Sequence, residues 1–139
     1  MRKLGIDYGD SRTGFAITDE LNITVQGLET LKYDGNDKVI LRKIDEYLEK
    51  YHIDTIVVGM PYLLNGDKAE RAEKTEKFIH KLKCKYNNIK IDYIDERLTT
   101  VAAHKTMNFL NINKHKKKNI VDTISAVYIL ETYINKKTN

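Results

Sequence analysis

Apolar residues change their spacing several times along the chain, and each change marks an element. Lys3-Leu4-Gly5-Ile6-Asp7 is a short apolar run closed by a carboxylate. Gly9-Asp10-Ser11 supplies turn chemistry, and Arg12-Thr13-Gly14-Phe15-Ala16-Ile17-Thr18 returns, which predicts two strands joined as a hairpin. A third strand with poor alternation fits residues 23–31. From there the period becomes three and four. Leu41, Ile44, Leu48 and Tyr51 fall on one face of an amphipathic helix over about 37–51. Thr55-Ile56-Val57-Val58-Gly59 is continuous and β-branched, the pattern of a strand buried on both faces. A loop with Pro61 and Asn65-Gly66 leads to a helix over about 68–86 that turns Ala72, Ile79 and Leu82 inward. Residues 89–94 form another strand, ending at Asp95-Glu96-Arg97. Thr99 or Thr100 caps a helix reaching about residue 110, and a basic loop precedes a final helix over about 120–135.

This order puts three antiparallel strands before the strand–helix units. It predicts an α/β fold with a mixed five-stranded sheet flanked by helices, the first strand central and the final helix packed across it. That is the ribonuclease H-like layout. A flavodoxin-like sheet would alternate strand and helix from the start, and the early hairpin argues against it. With 139 residues and no repeats or linkers, the chain is expected to be one domain.

Composition narrows the class. The chain is 41% hydrophobic and 32% charged, which fits a globular protein. No apolar run approaches the roughly 20 residues of a membrane span, and no signal-peptide stretch opens the chain, so the expected location is cytoplasmic. One cysteine, Cys84, excludes an internal disulfide; it is expected to be an inert thiol with no base beside it. The net charge of +4 is modest. Its distribution says more, because Asn113-Lys114-His115-Lys116-Lys117-Lys118-Asn119 concentrates positive charge in one place. Lys114, Lys116, Lys117 and Lys118 are expected to hold phosphates, with Arg12 and Arg97 helping from the strand ends.

Three acids need an explanation. Asp7 and Glu96 each end a buried strand, although alone either could serve a turn or a helix cap. Asp122 sits in Ile120-Val121-Asp122-Thr123-Ile124-Ser125-Ala126, a helix apolar nearly all round. Small side chains at Ser125 and Ala126 would let that face approach a strand closely. Converged, the three carboxylates repel unless cations neutralise them, and Mg²⁺ or Mn²⁺ suit oxygen ligands. Two such ions about 4 Å apart can drive phosphodiester hydrolysis. His52, His80, His104 and His115 are scattered and offer no zinc site.

The motifs also resemble a family. Leu4-Gly5-Ile6-Asp7-Tyr8-Gly9-Asp10-Ser11-Arg12-Thr13-Gly14 is similar to the opening motif of the YqgF/RuvX family. Val57-Val58-Gly59-Met60-Pro61, Asn65-Gly66 and Arg71-Ala72-Glu73 resemble its central loop and helix. Asp95-Glu96-Arg97-Leu98-Thr99-Thr100 resembles its most specific motif, and Lys116 through Asp122 with Ala126 resembles its closing one. Ser125 stands where the family usually has alanine, and Met60 and Tyr62 vary the central loop. The resemblance implies a ribonuclease H-like nuclease that processes the 5′ end of pre-16S ribosomal RNA. It also implies that Asp7, Glu96 and Asp122 are metal-binding catalytic acids, with Asp95 the alternative for the middle one. The implied partner is structured RNA, or branched DNA if the chain resolves Holliday junctions. A nucleic-acid-binding module without catalysis is the alternative of another class. The first motif also resembles the phosphate loop of actin-like ATPases and sugar kinases, but two such domains cannot fit in this length.

Overall fold

The computed structural model describes residues 1–61, 70–96 and 114–138, except for the side chains of 114–122, 137 and 138. The elements are β1 (Arg2–Tyr8), β2 (Arg12–Thr18), β3 (Val25–Lys32), α1 (Asp37–Lys50), β4 (Ile53–Met60), α2 (Glu70–Lys85), β5 (Lys90–Asp95) and α3 (Lys114–Thr138). The helix expected over 99–110 and the loop with Asn65-Gly66 lie outside the described residues, as does Arg97.

The sheet order is β3-β2-β1-β4-β5, so β1 is central as expected. β1 pairs antiparallel with β2, and β2 with β3, whereas β1–β4 and β4–β5 are parallel. The hairpin turn needs glycine: a Cβ on Gly9 would lie 2.3 Å from the Arg12 carbonyl oxygen. Asn36 caps α1 by accepting from the Lys38 amide at 3.0 Å, satisfying one of the orphan donors of the first turn.

Each face of the sheet has its own core. On one face Leu4, Ile6, Phe15, Ile56 and Val58 pack against α1 and α2, which contribute Ile40, Ile44, Phe78 and Leu82. On the other, Ala16, Val57 and Ile94 meet Ala126, Ile129, Leu130 and Tyr133 of α3. A fully buried Leu, Ile or Phe stabilises by about 1.5–3 kcal/mol relative to exposure, so both layers hold the sheet firmly. The strand pattern explains the division: alternate residues point to opposite faces, and β4 is apolar on both.

The α3 layer sits unusually near the backbone. A Cβ on Gly5 would lie 2.5 Å from Leu130 Cγ and 3.0 Å from the Ala126 carbonyl oxygen. Thr123 fills the space over Gly27, and Ile129 the space over Gly59. The expected small-residue contact at Ser125 and Ala126 is present, with both buried.

One expectation is corrected. The basic run was expected to be a loop, but Lys114, Lys116, Lys117 and Lys118 lie within α3. Nothing between 114 and 138 is glycine or proline, and lysine is a good helix former. Like-charge neighbours such as Lys114 and Lys118 cost only a few tenths of a kcal/mol, too little to stop the helix.

Candidate metal and nucleic-acid site

Asp7 is half-buried near the carboxyl end of β1. Its cross-strand partner on β2 is Gly14. On β4 the parallel register pairs Ile6 with Val58, so the next residue, Gly59, runs beside Asp7. The carboxylate therefore stands between two residues without side chains. It shares a face with Gly5, two residues earlier, and that is the face covered by α3.

Glu96 reaches the same place from the other side. Its amide donates to the Met60 carbonyl oxygen at 2.9 Å, extending the β4–β5 ladder by one step. Its carboxyl carbon lies 3.4 Å from where a Cβ on Gly59 would be, so the acid folds over the bare glycine. Strand alternation puts Asp95 on the opposite face, toward α2, while Glu96 shares the α3 face with Ile94. Of the two neighbouring acids, only Glu96 is on the Asp7 side.

Asp122 belongs to α3, and its side chain lies outside the described residues. The backbone position follows from its neighbour. The Thr123 and Thr30 hydroxyls are 2.7 Å apart, and Thr30 pairs with Gly14, which pairs with Asp7. One row thus runs Asp7, Gly14, Thr30, Thr123 across the sheet and onto the helix. Among the described residues no three His, Cys, Asp or Glu side chains gather to hold a metal; the two described acids, Asp7 and Glu96, do share this face.

A divalent cation fits what is present. Among the described residues the donor set is carboxylate, without imidazole or thiolate, and the two glycines beside Asp7 leave the strand end open. Hard ions prefer such oxygen donors.

A clamp on the opposite face fixes the turn after Asp7. The Arg71 guanidinium on α2 donates to the Tyr8 carbonyl oxygen and to Asp10 Oδ1 and lies 5.6 Å from the Tyr8 ring centroid. Tyr8 stacks on Phe78 at 4.2 Å and donates to Asp37 Oδ1 at 2.8 Å. Burial, then that hydrogen bond, pushes the Tyr8 hydroxyl well above the ordinary tyrosine range, so it remains a donor. Tyr33 donates to the Gly9 carbonyl oxygen. At Asp10, burial raises and the Arg71 and Lys74 charges lower the carboxyl, and the net direction is down. Sequence reasoning placed Arg71 only in a family motif and missed the clamp.

The other expected binders divide. Arg12 opens β2 opposite Lys32. The lysines of α3 are placed in backbone only, and Arg97 lies outside the described residues. Cys84 is exposed, but it does have a base nearby: His80 Nε2 lies 3.6 Å from its sulfur, one helical turn away. The sequence spacing of four was the overlooked signal.

Comparison with known proteins decides the family. The family model described as "RuvX: Holliday junction resolvase" matches residues 1–136. The chain belongs to the RuvX family. Relatives of this RuvX-family chain from Acetivibrio thermocellus and Ruminiclostridium cellulolyticum both carry the name "Putative pre-16S rRNA nuclease". The first is 48% identical over 137 residues, covering 99% of this chain and 97% of the relative. The second is 49% identical over 138 residues, covering 98% and 95%. Among solved structures, Thermus thermophilus RuvC in complex with Holliday junction substrate matches at a TM-score of 0.63 and 13% identity, covering 100% of this chain and 97% of that one. The fowlpox virus Holliday junction resolvase matches at 0.57 and 16% identity, covering 98% and 99%. At such identities the likeness speaks for the fold, and the RuvX-family chain has the expected ribonuclease H-like architecture. No helix among the described residues is long and apolar enough to cross a membrane.

Proposed function

We propose that the protein is a metal-dependent nuclease acting on structured RNA, with the 5′ end of pre-16S ribosomal RNA as its substrate. The observation that carries this reading is the placement of Asp7 and Glu96 on one face around the bare Gly59, beneath the helix that bears Asp122. Family membership and the names of the relatives support the same chemistry. Asp7, Glu96 and Asp122 would hold Mg²⁺ or Mn²⁺. Bound there, such ions supply water activation and neutralise charge at the leaving oxygen. The carboxylates would fix the ions' position, Arg71 would hold the strand end still, and the basic start of α3 with Arg12 and Arg97 would draw the phosphodiester backbone in.

A second substrate has a specific observation behind it: the family model is described by its junction-resolving activity. Hydrolysis at these acids does not depend on the sugar, so branched DNA would be cut by the same machinery. The test is to incubate wild type, Asp7→Asn, Glu96→Gln, Asp95→Asn and Asp122→Asn with labelled pre-16S RNA, duplex DNA and four-way junctions. Expected are cleavage of the RNA that stops in chelator, and losses of several orders of magnitude in all but Asp95→Asn. Preferential junction cleavage would select the second reading. Divalent cations should also raise the wild-type melting temperature with concentration, because they bind the folded state, and should not do so in Asp7→Asn. An unresponsive wild type with no chelator-sensitive cleavage would overturn the proposal.

A further inference from the structure

Several lysines among the described residues are answered by a carboxylate on another element. Lys3 faces Asp54 at 3.4 Å, Lys43 faces Glu29 at 3.3 Å, Lys81 faces Asp37 at 2.9 Å and Lys85 faces Asp45 at 2.9 Å. One cross-strand pair instead sets two cations opposite each other. Arg12 of β2 and Lys32 of β3 are register partners. Directly opposed residues of an antiparallel pair share a face, with Cα atoms about 4.5–5.5 Å apart. The pair is not a frayed end, since the Tyr33 amide donates to the Ser11 carbonyl oxygen at 3.0 Å beyond it. Among the described residues neither side chain has a carboxylate partner. Like charges held opposite one another in a ladder destabilise it, so the described contacts give no folding reason for this arrangement.

Position supplies the reason. Arg12 lies two residues from Gly14, the partner of Asp7, and Lys32 lies two residues from Thr30, the partner of Gly14. Both therefore project from the α3 face, the face of Asp7. Strand spacing and rise put the Arg12 Cα about 8 Å, and the Lys32 Cα about 12 Å, from that of Asp7. Both side chains are long enough to reach a backbone passing the carboxylates. The start of α3, which carries Lys114 through Lys118 and no acidic residue in its first turn, extends from Thr123 on the same flank.

We propose that Arg12 and Lys32 form a two-cation seat for phosphates flanking the scissile bond. The seat rests on the nuclease reading above and deepens it by naming where the strand lies. It binds the phosphodiester backbone, which RNA and DNA share. Arginine can grip a phosphate with two parallel donors, and lysine acts as a point charge beside it. A bound phosphate supplies a counter-charge that no described carboxylate gives, so the seat trades apo stability for affinity.

Affinity for a labelled RNA hairpin and a four-way DNA junction, measured in chelator across a range of KCl concentrations, tests the seat. Each lost phosphate contact should flatten the slope of log affinity against log salt by about 0.7–0.9. Arg12→Gln and Lys32→Gln should each show this, and the double variant about twice as much. Melting at low ionic strength is the second readout. Lys32→Gln should melt at or above the wild-type temperature, because a repulsion is removed, and sodium tripolyphosphate should raise the wild-type melting point more than the double variant's. Slopes unchanged on both probes, or a Lys32→Gln variant that melts lower while binding as wild type does, would overturn the seat alone. A wild type that binds neither probe would overturn the nuclease reading with it.

Discussion

The hydroxyls of Thr30 and Thr123, 93 residues apart in sequence, lie 2.7 Å from one another. This contact joins β3 to the helix that carries Asp122, in the row that begins at Asp7. Replacing either threonine with valine should cost about 0.5–1.5 kcal/mol in denaturant unfolding. The double Thr30→Val, Thr123→Val variant should cost less than the sum, since no hydroxyl is then left without its partner. Cleavage should fall further than stability, because the helix loses its anchor beside the acids. Additive stability losses with unaltered cleavage would show that the contact positions nothing.

Glycines under α3 give a graded prediction. Gly5→Ala meets Leu130 Cγ at 2.5 Å and the Ala126 carbonyl oxygen at 3.0 Å; backbone cannot step aside, so a loss of about 1–3 kcal/mol or more is expected. Gly59→Ala meets Ile129 Cδ1 at 2.5 Å, the far end of a side chain that can rotate. It should be milder in a melting experiment and yet harsher on cleavage, since the new methyl stands 3.4 Å from the Glu96 carboxyl carbon. Equal effects of the two on both measurements would contradict this reading of the packing.

Arg71 grips the turn that follows Asp7, so under the proposed function it is a positioning residue. Arg71→Ala should reduce cleavage about 10- to 100-fold, the range seen when groups supporting metal ligands are removed. Arg71→Lys should restore little, because an ammonium cannot reproduce a planar fork reaching both Tyr8 and Asp10. Cation-dependent melting separates positioning from folding: the variant should stay folded in chelator and need more Mn²⁺ for the same rise.

Acid stability should depend on Glu29. The Tyr47 hydroxyl, opposed by partial burial and helped by Lys43, holds this carboxyl below its ordinary value near 4.5. A depressed folded value means the folded state favours the ionised form. The contribution is therefore complete above about pH 4.5 and is lost as pH falls through the lowered folded value. Glu29→Gln should flatten the pH dependence of melting in that window, and its curve should approach the wild type's at the acid end.

Much of this was legible from residue order. β2 falls on the residues expected, Arg12–Thr18, because turn chemistry bounds it on one side and alternation runs through it. The close seat of α3 followed from small residues at Ser125 and Ala126. The basic run was misread because charge density resembles a loop, while helix propensity, which decides locally, is silent about charge. Arg71 left no local trace: its partners Tyr8 and Asp10 are 63 and 61 residues away. Which of Asp95 and Glu96 shares the Asp7 face turns on one step of register, which inverts every side chain on a strand, and it becomes visible only once Glu96 is seen beside Gly59.

The glycine-floored face has a kinetic consequence. The described contacts that seat α3 join residues far apart in the chain, such as Gly5 to Leu130 and Gly27 to Thr123, and closing such large loops is slow. Strands β1 to β4 with α1 and α2 hold one core among nearer neighbours, so that half can condense first. Until α3 docks, the molecule has a folded sheet whose Asp7 and Glu96 face is uncovered, without the helix that bears Asp122. Hydrolytic competence should therefore appear in refolding later than the burial of Phe15 and Phe78, as a delayed phase set by docking of the helix.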